Sequence, residues 1–227
     1  MSPEGNHVGR MDRPADERLD RFGADTAALV RLAARITSGS ESSVREGFAE
    51  CADAEVAERW IEELVLQSYL FAGFPRALNA AREWRRGGRA RGEADVTGEE
   101  SRGGYADVYD WRVRGEETCR VVYGVFYDKL RGNIRRLHPA LDDWMIVEGY
   151  GKVLSRPGLE LGRRELCIIA ACVAAEQDRQ LHSHLHGARN AGVPGHVVDS
   201  ALGVLAGVVS AEALGRARLL WERVKGK

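Results

Sequence analysis

No Cys-x-x-Cys occurs in this chain. It has four cysteines, Cys51, Cys119, Cys167 and Cys172. The two nearest, Cys167 and Cys172, are five residues apart, which on a helix turns them about 140° from one another and onto different faces. No disulfide framework is therefore expected, and the thiols read as small buried apolar groups of a reducing compartment. A surplus of one charge is also missing. With 33 Lys and Arg against 34 Asp and Glu the net charge is −1, so no long-range field would gather nucleic acid or an anionic membrane. Long apolar runs are absent too: 166–175 and 197–211 are bounded or broken by Glu, Asp or Gly and fall short of the roughly 20 residues that cross a bilayer. The segment 1–24 opens with Pro3, Gly5, Gly9 and Pro14 and no apolar core, which reads as a flexible tail rather than a signal peptide. A cytoplasmic protein is expected, and 227 residues at 44% hydrophobic can bury one large core or two small ones.

What the chain does have is a degenerate repeat. Shifting the sequence by 137 residues (166 − 29) sets Leu29 on Leu166, Ala33 on Ala170, Ala34 on Ala171, Ala54 on Ala191, Val56 on Val193, Ala80 on Ala217 and Trp84 on Trp221. No gap is needed, and a Trp closes both copies. Self-similarity of this kind describes units that pack on their siblings.

Each unit reads as helices, so the expected fold class is all-α. In the first unit (25–86), the apolar spacing predicts a helix over 26–36 with Asp25 as N-cap, one from Ser42 or Ser43 to Ala52, one over 54–69, and one over 76–86 after Gly73 and Pro75. The second unit (105–227) predicts helices over 162–176, 180–191, 193–209 and 211–225, preceded by helical patterns over 117–137 and 141–154. Between the units, 87–104 is rich in Gly, Arg and Glu and reads as a solvated linker. Tyr123, Tyr127 and Tyr150 could line a pocket, although tyrosines at helical spacing usually belong to the core.

Glu165 and His184 stand nineteen residues apart on two consecutive predicted helices. A helix, a tight turn around 176–179 and an antiparallel helix bring the two side chains together. A carboxylate beside an imidazole is a usable acid and base pair, because it fixes the ring tautomer and raises its proton affinity. The plainer alternative is a helix-start Glu favoured by the macrodipole and a histidine bonded in the core.

Residues 144–192 resemble the carboxymuconolactone decarboxylase family, which shares the alkylhydroperoxidase D-like fold. The resemblance rests on Gly149-Tyr150-Gly151, Leu154-Ser155-Arg156-Pro157-Gly158-Leu159, Arg164-Glu165-Leu166, Gln180-Leu181, His184, Ala188 and Gly192. The stretch 71–80 in the first unit is similar to the segment after the catalytic hairpin of the same family. In the peroxidase branch a Cys-x-x-Cys precedes the His, and here those positions are Gln177 and Gln180. An amide cannot attack a peroxide as a thiolate does, so an alkylhydroperoxidase-like antioxidant activity is disfavoured. The decarboxylase branch implies loss of carbon dioxide from a small carboxylated lactone or related organic acid without a cofactor. In that reading His184 is the proton donor and Glu165 its orienter. Arg156 is a candidate clamp for the substrate carboxylate, and Tyr150 and Gln180 are further substrate contacts. The family's ring assemblies imply a homotrimer.

The positions matching Glu165 and His184 in the first unit are Ala28 and Gly47, so one complete site per chain is expected. Asp178, His182 and His186 follow a four-residue spacing that could ligate a divalent ion. That pattern is common on solvated faces, and no metal is assigned. A third reading is a non-catalytic helical assembly scaffold.

Overall fold

The computed structural model describes residues 19, 21–87 and 105–226. Most of the expected tail, and the expected linker from residue 88 to 104, lie outside the described residues. Those described form helices and no β-strand, so the protein is all-α.

The alanine-rich run at the start of the first unit forms α1 (Ala24–Ser38), and its counterpart forms α8 (Leu161–Ala174). Both are buried nearly all round, and they pack on each other at the centre of the molecule. A helix apolar on every face is stable only inside such a core. Leu29, Leu32, Leu166 and Ile168 are fully buried, each contributing about 2 kcal/mol by removal from water. Around α1 lie α2 (Glu41–Asp53), α3 (Glu58–Ala72) and α4 (Phe74–Arg86). Around α8 lie α9 (Asp178–Asn190), α10 (Gly195–Gly203) and α11 (Ala211–Lys225). The starts of α1 to α4 recur as those of α8 to α11 at a separation of 137 residues, the separation of Thr26 and Arg163, whose side chains are hydrogen-bonded at 2.9 Å. Trp84 Nε1 donates to Glu62 at 2.8 Å, and Trp221 Nε1 donates to Asp199 at 2.6 Å. Val56 N–H returns to Cys51 O, and Val193 N–H to Ala188 O, both at 2.9 Å.

Several helix ends differ from the sequence expectation. Gly23, not Asp25, caps α1; Asp25 lies inside the first turn, where Oδ1 accepts from Thr26 N–H at 2.6 Å. Ser40, not Ser42 or Ser43, caps α2 by accepting from Ser43 N–H. α3 begins at Glu58 because Glu55 takes a left-handed φ of 53° that ends α2. Pro75 lies in the first turn of α4, where its missing N–H costs nothing.

Between the two sets of four helices, the expected helix over 117–137 is two. These are α5 (Tyr105–Tyr123) and α6 (Tyr127–Leu137), separated by a 3₁₀ turn at Gly124–Phe126. Then α7 (Pro139–Trp144) runs into a π-helical segment, Met145–Leu154. The backbones of α5 and the π segment touch: a Cβ on Gly151 would overlap the carbonyl of Trp111, and one on Gly115 that of Ile146. This contact fixes Tyr150 against the interior.

Asp142 on α7 is buried and receives Arg131 and Arg135, with Arg135 Nη2 at 2.6 Å and Arg131 Nη2 at 3.1 Å. Hydrogen bonds from Arg131 hold its carboxyl below the usual carboxylate range. A lowered folded-state pKa stabilises the fold above the unfolded value, near 4, and that stabilisation is lost as the pH falls through the folded one. Asp142→Asn is therefore expected to lose about 2 kcal/mol at neutral pH, with the gap to wild type closing in thermal melts as the pH drops below about 4. A gap that persists unchanged in acid contradicts this account.

Candidate active site

The first link is a chain reversal. α8 ends at Ala174, Glu176 adopts a φ of 56°, and Gln177 N–H returns to Cys172 O at 2.9 Å. Such a helix end satisfies the last carbonyls while turning the chain. α9 then packs back along α8, placing Nδ1 of His184 2.8 Å from Oε2 of Glu165.

Both groups are out of water: Glu165 is 0% exposed and His184 5%. A carboxylate only accepts, so an ionised Glu165 fixes the ring proton on Nδ1 and leaves Nε2 as the working position. Oε1 of Glu165 has no hydrogen-bond partner among the described residues. Leaving a buried carboxylate oxygen unsatisfied costs about 1–3 kcal/mol or more, and such costs concentrate at functional sites. Gly187 makes room for the pair, since a Cβ there would lie 2.7 Å from Oε2 of Glu165 and 2.8 Å from Val122 Cγ1.

The neighbours are neutral groups. Burial pushes the Cys119 and Cys172 thiols up to about 12, and the Tyr123 phenol to about 12; Tyr150 lies well above its ordinary value for the same reason. The charge of Glu165 raises all four further. Thiolate chemistry is thus closed to these cysteines. The Tyr123 and Tyr150 rings meet edge to face at 6.2 Å. On another side the ring of Phe71, from the last turn of α3, meets the imidazole of His184 at 5.6 Å and 83°.

Of the residues singled out in the sequence, Glu165, His184 and Tyr150 are gathered here. Gln180 is exposed in the first turn of α9, one turn before His184 on the same face. Gln177 is exposed as well, its amide donating to Ala175 O. Arg156 is placed differently from the expected carboxylate clamp: its guanidinium already holds a carboxylate, that of Glu63 on α3, at 3.1–3.2 Å. Tyr127 stands apart too, its hydroxyl accepting from Arg131. His182 and His186 meet at 4.9 Å, while Asp178 pairs with Arg216. Among the described residues no three such donors converge to hold a metal ion.

At the matching positions of the first unit, Ala28 and Gly47 carry no such groups. A Cβ on Gly47 would press on Cδ of Arg35 at 3.0 Å, and Arg35 is held by Glu50 at 2.6 Å. An ion pair lies beside the position that matches His184.

Residues 143–223 match the carboxymuconolactone decarboxylase family. This segment belongs to that family. No curated protein matches the chain. The family segment contains Glu165, His184, Tyr150, Arg156 and Gln180, whereas Phe71, Cys119, Val122 and Tyr123 lie outside it. In the linear sequence Phe71 is marked only as the first residue of the stretch 71–80 that resembles the family; nothing there pairs it with His184, which it meets through the packing of α3. No helix among the described residues is long and apolar enough to cross a membrane.

Proposed function

We propose that the chain is a cofactor-free decarboxylase of a small carboxylated lactone or related organic acid, with one site formed by Glu165 and His184. The observation that carries this reading is the buried 2.8 Å bond between them, together with the second oxygen of Glu165, which has no partner among the described residues. In the reaction, the bond from ring carbon to carboxylate breaks and its electron pair moves by conjugation into the lactone carbonyl. Carbon dioxide leaves, and His184 delivers a proton to the carbon framework. Glu165 stabilises the imidazolium form that supplies this proton. Gln180 stands where it can meet the ligand. Arg156 acts through Glu63 on the fold rather than on substrate.

The reading includes a cytoplasmic homotrimer of tandem units, with the first unit as structural partner; light scattering is expected to give the mass of three chains, and a monomer contradicts that part. The scaffold reading is favoured by one observation. The cleft of about 540 Å³ at the start of α8 and that of about 260 Å³ between α3 and α4 are lined by neither Glu165 nor His184. Carbon dioxide release from a panel of carboxylated unsaturated lactones separates the two readings. Turnover is expected for the enzyme, and none across the panel favours the scaffold.

A further inference from the structure

His184 is nearly closed off, and one ring that lies against it, that of Phe71, comes from the other half of the chain. Nδ1 is engaged by Glu165, and the side chain keeps 7% of its surface exposed. Around the pair, Cys119 and Val122 are 0% exposed and Tyr150 4%, so the wall formed by α5 and the π segment is sealed. Phe71 and Tyr123 are half-buried, and of these two Phe71 has its ring against the imidazole, at 5.6 Å and 83°. A half-buried aromatic at the end of a helix can change rotamer at modest cost, unlike the packed residues on the opposite wall. The position matching Phe71 in the second unit is Val208, and the position matching His184 in the first is Gly47, each at the 137-residue separation. Of these two matching places, one therefore carries both ring and histidine and the other carries neither.

We propose that Phe71 controls access of small molecules to Nε2 of His184, making the first unit a contributor to specificity at the second unit's site. This rests on His184 being the working group. Because the ring must swing aside for a ligand to reach the imidazole, a smaller side chain at 71 opens the site and relaxes the size limit on what enters.

The test is histidine carbethoxylation by diethylpyrocarbonate on the full chain, followed by peptide mass spectrometry. It needs no turnover, so a failure of the decarboxylase reading leaves it intact, and its own failure leaves the chemistry of His184 untouched. In the wild type His184 should react more slowly than the exposed His138 and His196. Phe71→Ala should raise the His184 rate several-fold with His138 and His196 unchanged, and Phe71→Leu, a milder truncation for the case in which the alanine variant does not fold, should raise it in the same direction. An unchanged His184 rate overturns the proposal. So does an increase shared by all the histidines, which would report general loosening.

Discussion

Glu63→Ala should lower the free energy of unfolding by about 3–5 kcal/mol, because it strips the carboxylate from two guanidinium groups at once. Arg164 is fully buried, and its Nη2 donates to Oε2 of Glu63 at 2.8 Å. Arg156, 20% exposed in its side chain, takes the same carboxylate. The remaining donors of Arg164 go to Leu159 O at 2.9 Å, Arg156 O at 3.1 Å and Gln67 at 3.3 Å. Nothing in that set neutralises the charge. Removing one member of a buried ion pair leaves the other desolvated and unmatched, which is why the expected loss exceeds that of an exposed pair such as Arg112 with Asp143. The network also joins α3 to the loop that leads into α8, so its loss should unseat the start of the helix carrying Glu165. Urea unfolding with an unchanged slope measures the effect. A loss below about 1 kcal/mol, the size of a surface pair, contradicts the account.

His184→Ala should reduce decarboxylation by about 10²–10⁴-fold, the range for a positioned proton donor. The neighbouring acids are poor substitutes: burial pushes Cys119, Cys172, Tyr123 and Tyr150 up, so each gives up its proton far less readily than an imidazolium, and Gln180 has no titratable proton. Glu165→Gln keeps the shape of the side chain but removes the charge that favours the imidazolium, so it should cost less than the loss of the ring. If the two variants rank in the reverse order, the charge of Glu165 rather than the proton of His184 does the work.

Much of this was legible in the linear chain. Glu165 and His184 could be paired because they flank one short reversal, where local spacing decides distance. α11 has the bounds that its apolar period predicts, Ala211–Lys225. Other features depend on packing that sequence does not encode locally. Arg156 looked like a ligand for substrate because its partner, Glu63, lies 93 residues earlier. Phe71 is marked only by the resemblance of 71–80, which does not pair it with His184, since the two meet only after α3 has folded against the second unit. The cap of α1 is not legible in the sequence because Asp25 is the residue type that normally caps, whereas Gly23 has no side chain to announce itself. The π segment escaped because its wide turn is set by the contact of Gly151 with α5 rather than by its own apolar period.

One measurement tests the central claim most directly: carbon dioxide release from a carboxylated unsaturated lactone by the wild-type chain and by His184→Ala, side by side and matched for folded protein by circular dichroism. The account predicts release by the wild type and its loss in the variant. Equal release by both would contradict it.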